Sequence, residues 1–107
     1  TQIGRYTRIG NRVFFNLSVV LTAKGSSTGA AVITGLPIAA EATSGNVQCF
    51  AVRLLSLQST SGGMHARVNP SGTTIDLGMN TTGGAANLTD ANFLNASSMN
   101  ISGHYQV

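Results

Sequence analysis

Acid is scarce in this chain: in 107 residues Glu41, Asp76 and Asp90 are its three acidic side chains, and the formal net charge is +3. Charged residues of both signs make up 8% of the sequence, against about 25% in an ordinary globular domain. The surface must therefore be covered by uncharged Gly, Ser, Thr and Asn, which suits sugars or identical copies of the chain itself. A single cysteine, Cys49, excludes an internal disulfide framework and fits synthesis in a reducing cytoplasm. No apolar run is long enough to span a bilayer or to act as a signal segment, so no membrane insertion is expected. There is no tryptophan to supply the strongest sugar-stacking ring. What is present in quantity is apolar: hydrophobic residues reach 42% and fall in strand-length runs, so the chain folds rather than remaining disordered. One domain with one core is the expectation at this length, near the size where burying surface against a partner helps. The absence of an initial Met reads as a fragment of a longer chain, and residues 103–107 read as a true end.

The cations are Arg5, Arg8, Arg12, Lys24, Arg53 and Arg67, half of them close together near the start. A basic hairpin could meet nucleic acid or an anionic polysaccharide; the blander reading is a solvated edge that discourages strand aggregation. Without a recognition helix, a zinc pattern or an aromatic-plus-basic RNA motif, no nucleic-acid partner is expected.

Residues 12–22 alternate as a strand, with Val13, Phe15, Leu17, Val19 and Leu21 on a core face and Phe14, Asn16, Ser18 and Val20 opposite. Gly10-Asn11 supplies a tight turn, so Tyr6 to Ile9 should pair back on that strand. Residues 24–29 form a turn, and 30–34 a short strand stopped by Gly35-Leu36-Pro37, because proline lacks the ladder donor. Residues 41–46 read as a loop.

Residues 46–58 read as the longest strand, with Val47, Cys49, Ala51, Leu55 and Leu57 on one face and Phe50, Val52 and Leu54 on the other. A strand apolar on both faces is covered on both. With almost no helix to provide the second cover, another subunit is the economical answer, and the face of Val47, Cys49, Ala51, Leu55 and Leu57, with Arg53, becomes the candidate interface. Arg53 needs Glu41 or Asp76 as a partner, or else points to solvent. A turn at 59–63 leads to a strand at 64–69, a turn at 70–72 and a strand at 73–79 with Ile75 and Leu77 inward. Residues 80–86 read as a Gly-rich loop, residues 88–94 as a single helical turn capped by Thr89 or Asp90, and 98–105 as a last strand broken by Gly103. The sum is an all-β, antiparallel β-sandwich of jelly-roll type.

Few motifs carry chemistry. Residues 25–29 match G-x-S-x-G at Ser27, followed by Asp76 or Asp90 and then His104 in hydrolase order. That serine, however, belongs between a strand and a helix on a parallel sheet, whereas here strands flank it. A small serine esterase is the remote alternative; the main reading is no enzyme and no cofactor. His65 and His104 have no cysteine or acid at ligand spacing, so no metal site is expected within one chain. The Asn-x-Ser/Thr triplets at Asn16, Asn80, Asn87, Asn95 and Asn100 follow from composition rather than from glycosylation. Phe15 and Phe50 read as core, while Tyr6, Phe14, Phe93 and Tyr105 are divided between packing and sugar stacking.

Several words recur in a definite order: residues 4–13 (Gly-Arg-Tyr-Thr-Arg-Ile-Gly-Asn-Arg-Val), the strand 14–22, Lys24-Gly25, Gly35-Leu36-Pro37, and 88–93 leading to Ile101-Ser-Gly-His-Tyr105. In this order and spacing they resemble the C-terminal domains of bacteriophage tail fibres and tailspikes. The resemblance implies a β-sandwich that assembles as a homotrimer at the distal end of the fibre, in the virion, and binds host cell-surface polysaccharide or lipopolysaccharide. In such proteins lytic activity belongs to a separate β-helical domain, of which nothing is seen here. The recurring words are scaffold words and transfer no binding residue. The ligand-binding candidates are therefore read from the polar segments: Tyr6, His65, Arg67, Asn69 and Asn87, beside the loops 41–46, 59–63 and 80–86. A purely structural trimerisation cap without a ligand is the alternative.

Overall fold

A computed structural model describes residues 1–58 and 63–107. The chain is all-β, with strands β1 (Gln2–Ile9), β2 (Arg12–Val20), β3 (Val32–Thr34), β4 (Gln48–Phe50), β5 (Val52–Leu57), β6 (Met64–Val68), β7 (Thr74–Thr81), β8 (Gly84–Asn87) and β9 (Phe93–Gln106). They form two antiparallel sheets, β1-β2-β9-β5 and β3-β7-β6-β4 with β8 added to β7, an arrangement compatible with a β-sandwich.

The hairpin forms as its residues dictate. Gly10 takes φ +59°, which costs a glycine little, and Ile9 then pairs with Arg12 and Gln2 with Val19. Alternation along β2 sends Val13 and Phe15 into the core, with Leu17, Val19 and Leu21 half-buried behind them. From the second sheet come Ala66, Val68, Ile75 and Leu77, and from β9 Phe93, Met99, Ile101 and Tyr105. Phe15 meets Phe50 edge to face at 5.0 Å between ring centres, the arrangement the ring quadrupoles favour. Tyr105 is fully buried and its hydroxyl donates to the Ile38 carbonyl at 2.8 Å, so its polar tip is satisfied.

The segment 46–58 corrects the reading of one long two-faced strand. It breaks at Ala51 into β4, in the second sheet, and β5, in the first. Between Leu55 and Leu57 the register slips, because Ser56 takes a left-handed φ of 59°. These two phase changes turn Phe50, Val52, Leu54 and Leu57 onto the core, so these four are covered from within the chain. A side-chain clamp fixes the corner: Gln48 accepts from the Gln106 N–H at 2.6 Å and donates to the Gln106 carbonyl at 3.2 Å.

Two smaller readings also change. Residues 80–86 are no loop but the turn of the β7–β8 hairpin, with Thr81 paired to Gly84. β9 runs unbroken through Gly103. The turn at 59–63 lies, but for Gly63, outside the described residues. The helical turn does form, as a short 3-10 helix at Asp90–Asn92 after Thr89, whose N–H donates to the Asn92 side chain at 2.9 Å.

Candidate functional site

Four of the five ligand-binding candidates meet on one surface, the outer face of the second sheet. Because Ala66 and Val68 point inward, His65 and Arg67 of β6 point out; the register then sets His65 beside Gly78 and Arg67 beside Asp76. Asn87 lies opposite Gly78 on the far side of β7. Arg67 donates from Nη2 to Asn87 Oδ1 at 3.0 Å, and its Nε lies 3.8 Å from Asp76 Oδ2. Asn69 donates to the same Asp76 oxygen at 3.0 Å. The His65 imidazole occupies the space a side chain at Gly78 would need, since a Cβ there would stand 2.7 Å from Nε2. The result is a shallow field of one guanidinium, one carboxylate, amides and an imidazole, with its charges balanced inside it. Tyr6 lies elsewhere, on β1, and is 57% exposed.

The interface candidates do not share a surface. Cys49 is exposed beside Arg67 on the second sheet. Arg53 and Leu55 lie on the outer face of the first sheet, opposite Asn100 and Ser98. Val47 and Ala51 are exposed near the corner between the sheets, while Leu57 packs against the core. Arg53 has neither expected acid, for Asp76 is taken by Arg67 and Asn69, and Glu41 accepts from Asn46 at 2.9 Å. Hydrogen bonds from Thr43 and Asn46 hold the Glu41 carboxyl below its ordinary range, with the Arg12 guanidinium adding to the effect.

Two features escaped the sequence reading. The first is the outer face of the first sheet, built in cross-strand rows. Thr7, Phe14 and His104 form one row; Arg5, Asn16 and Ser102 the next; Ile3, Ser18, Asn100 and Arg53 the third. Phe14, 42% exposed, has the His104 ring 5.4 Å away. Arg12 Nη1 donates to His104 Nδ1 at 3.1 Å. Alternation in residues 12–22 did turn Phe14 and Asn16 away from the core, but nothing in the sequence joined them to Arg53 or His104.

The second is the free edge at β1, whose eight residues are all exposed. Thr1 and Val20 exchange both backbone hydrogen bonds, each 2.8 Å. Antiparallel alternation from that pair directs the N–H and C=O groups of Gln2, Gly4, Tyr6 and Arg8 away from β2. Among the described residues no strand lies on that side of β1. Beside it the sheets part in a cleft of about 370 Å³ lined by Val19, Leu21, Ile33, Leu77 and Met99.

The esterase residues are not assembled. Ser27 is exposed on the segment before β3 and lines a cleft with Asp90, while His104 is engaged with Arg12 and Phe14. Among the described residues no three His, Cys, Asp or Glu side chains gather as a metal site, and no helix is long and apolar enough to cross a membrane. Comparison with known proteins adds no relative: no protein-family model matches the chain, and no curated protein or solved structure is significantly similar to it.

Proposed function

We propose that this chain is a non-catalytic adhesion module from the distal end of a phage tail fibre or tailspike, jelly-roll-like in winding, which trimerises and binds host cell-surface polysaccharide or lipopolysaccharide. The observation that carries the reading is the unpartnered β1 edge. Eight exposed residues without a proline or a bulge present unpaired backbone groups, and Ile3, Tyr6 and Ile9 expose more than half of their surface along it. An edge of this kind templates pairing with another chain unless something covers it. A further copy of the domain is a cover that a fibre made of identical chains supplies in register. The order of recurring words through residues 4–37 supports the same reading, since those words build the hairpin and the strand stop.

The glycan half of the proposal draws on the second sheet. His65, Arg67, Asn69 and Asn87 offer planar donors and acceptors around Asp76 with no net charge, the chemistry that pairs with sugar hydroxyls. Light scattering on the purified domain tests assembly: a trimer at micromolar concentration is expected, and a monomer ends that half. Retention on polysaccharide from susceptible cells tests binding.

The second reading, a structural cap without a ligand, is favoured by the fact that Arg67, Asn69, Asp76 and Asn87 already bond to one another. Removing the domain from its parent fibre would then abolish trimers and leave the host recognition of assembled particles unchanged.

A further inference from the structure

Charge in this fold is segregated by sheet. The strands of the first sheet carry Arg5, Arg8, Arg12 and Arg53 and no carboxylate, whereas the second sheet holds Arg67 and Asp76, which pair with each other. The sequence disperses these arginines over more than forty positions; pairing of β1, β2, β9 and β5 brings them onto one sheet. Alternation then sorts them. Arg5, Arg12 and Arg53 share the outer face with Phe14, Asn16, Ser18, Asn100, Ser102 and His104, while Arg8 lies on the opposite side, its Nε donating to the Gly10 carbonyl at 2.8 Å. Glu41 approaches Arg12 from the end of the sheet and offsets part of its charge. Arg5 and Arg53 have no carboxylate partner among the described residues.

Between these two arginines the face carries two shallow, open hollows. One groove, of about 390 Å³, is lined by Asn16, Ser18, Arg53, Asn100 and Ser102; a second, of about 360 Å³, by Arg5, Thr7, Phe14 and Asn16. Asn16 lines both, so the two adjoin and line a shallow track across the sheet. Asn100 donates to Ser18 Oγ at 3.0 Å, leaving its carbonyl oxygen and the Ser102 hydroxyl turned to solvent. The exposed Phe14 ring gives the track an aromatic end.

We propose that this track binds an anionic glycan, a chain of sugar units bearing carboxylate or phosphate, with Arg5 and Arg53 on its charges, Asn16, Asn100 and Ser102 on its hydroxyls, and a sugar ring against Phe14. The proposal rests on the glycan-adhesion reading above, adds to the second-sheet cluster a separate surface on the first sheet, and gives that surface a ligand class. Planar guanidinium forks match carboxylate and phosphate geometry, and amides and hydroxyls match sugar hydroxyls. Single-stranded nucleic acid fits less well: it is held by successive stacking rings, and this face has Phe14 with His104 and no further ring along the track.

The test uses the intact domain and named polymers: polygalacturonate for carboxylate, phosphomannan for phosphate, neutral dextran, and oligothymidylate. The expected result is retention on polygalacturonate or phosphomannan but not on dextran, falling steeply between about 50 and about 200 mM salt. Arg5→Gln and Arg53→Gln should each weaken it about tenfold, the worth of one charge-assisted contact, and Phe14→Ser should weaken it too. Lys24→Gln removes the same charge from a residue near Asp90, off this face, and should leave retention unchanged. These residues are exposed, and an unchanged thermal midpoint confirms that each variant is folded. Retention on dextran that ignores Arg5 and Arg53 overturns this proposal and leaves the adhesion reading intact. Equal losses from Lys24→Gln, or oligothymidylate held as firmly as the acidic glycans, overturn it as a general charge effect. No retention on any of these polymers overturns it, while retention on host polysaccharide alone would keep the broader reading.

Discussion

Phe50 lies so close to Gly103 that a Cβ at residue 103 would stand 2.8 Å from Phe50 Cδ1. The strand pairing explains the contact: Gly103 faces Phe15 across β2 and β9, and Phe50 reaches it from the other sheet, edge-on to Phe15. Gly103 is thus a packing residue within a continuous strand. Gly103→Ala should destabilise the fold by about 1–3 kcal/mol, the usual cost of overpacking a filled core, read as a lower midpoint in urea unfolding. Phe50→Ala should cost about 3–5 kcal/mol. A Gly103→Ala variant as stable as the parent would show that the Phe50 ring gives way freely.

Ser97 makes a second specific junction. Fully buried, its hydroxyl accepts from the Leu94 N–H at 2.8 Å and donates to the Ser56 carbonyl at 2.6 Å. These bonds close the irregularity where β5 and β9 slip register. Ser97→Ala leaves both backbone groups without that partner and should cost about 1–3 kcal/mol, seen as a drop in thermal midpoint and faster hydrogen exchange at Leu94.

Gly4 tests the free edge without touching the sheet's own ladder. Its N–H points away from β2 by the alternation set at Thr1 and Val20. Gly4→Pro removes a donor that only a second chain would use. The expected outcome is loss of the proposed trimer in light scattering, with the far-ultraviolet spectrum of the folded domain retained. A trimer that persists places assembly on another surface.

The pH dependence has two ends. Hydrogen bonds from Thr43 and Asn46 depress the Glu41 pKa below 4.5, so its contribution is present above that ordinary value and is lost as pH falls through the depressed one. Burial raises the Tyr105 pKa above 10.0. The unfolded chain then releases this proton first as pH rises, and stability declines above about pH 10 until the folded form ionises as well. Denaturation midpoints across pH should fall at both ends, and Glu41→Gln should flatten the acid limb.

Much of the fold was legible because alternation is a local signal. Val13 to Leu21, Ile75 and Leu77 declared their faces, Gly10-Asn11 its turn and Thr89 its helical cap. The corner at Ala51 was not legible: a run such as residues 46–58 has the same composition whether it is one strand covered twice or two strands that change sheets. The phase slip at Ser56 depends on a left-handed backbone that serine does not advertise. The candidate cluster was half legible. His65, Arg67 and Asn69 alternate on one strand, but their link to Asn87 exists only because β8 folds back on β7.

The sequence by itself determined an all-β chain, the face each regular strand buries, the turns, and an uncharged polar surface with a few arginines. Those properties follow from side-chain period and backbone preference, which act over a few residues. The tertiary structure decided which strands are neighbours, and hence the charge-balanced cluster on one sheet, the arginine-lined track on the other and the open edge at β1. Register across strands far apart in the chain is set by core packing among all of them at once.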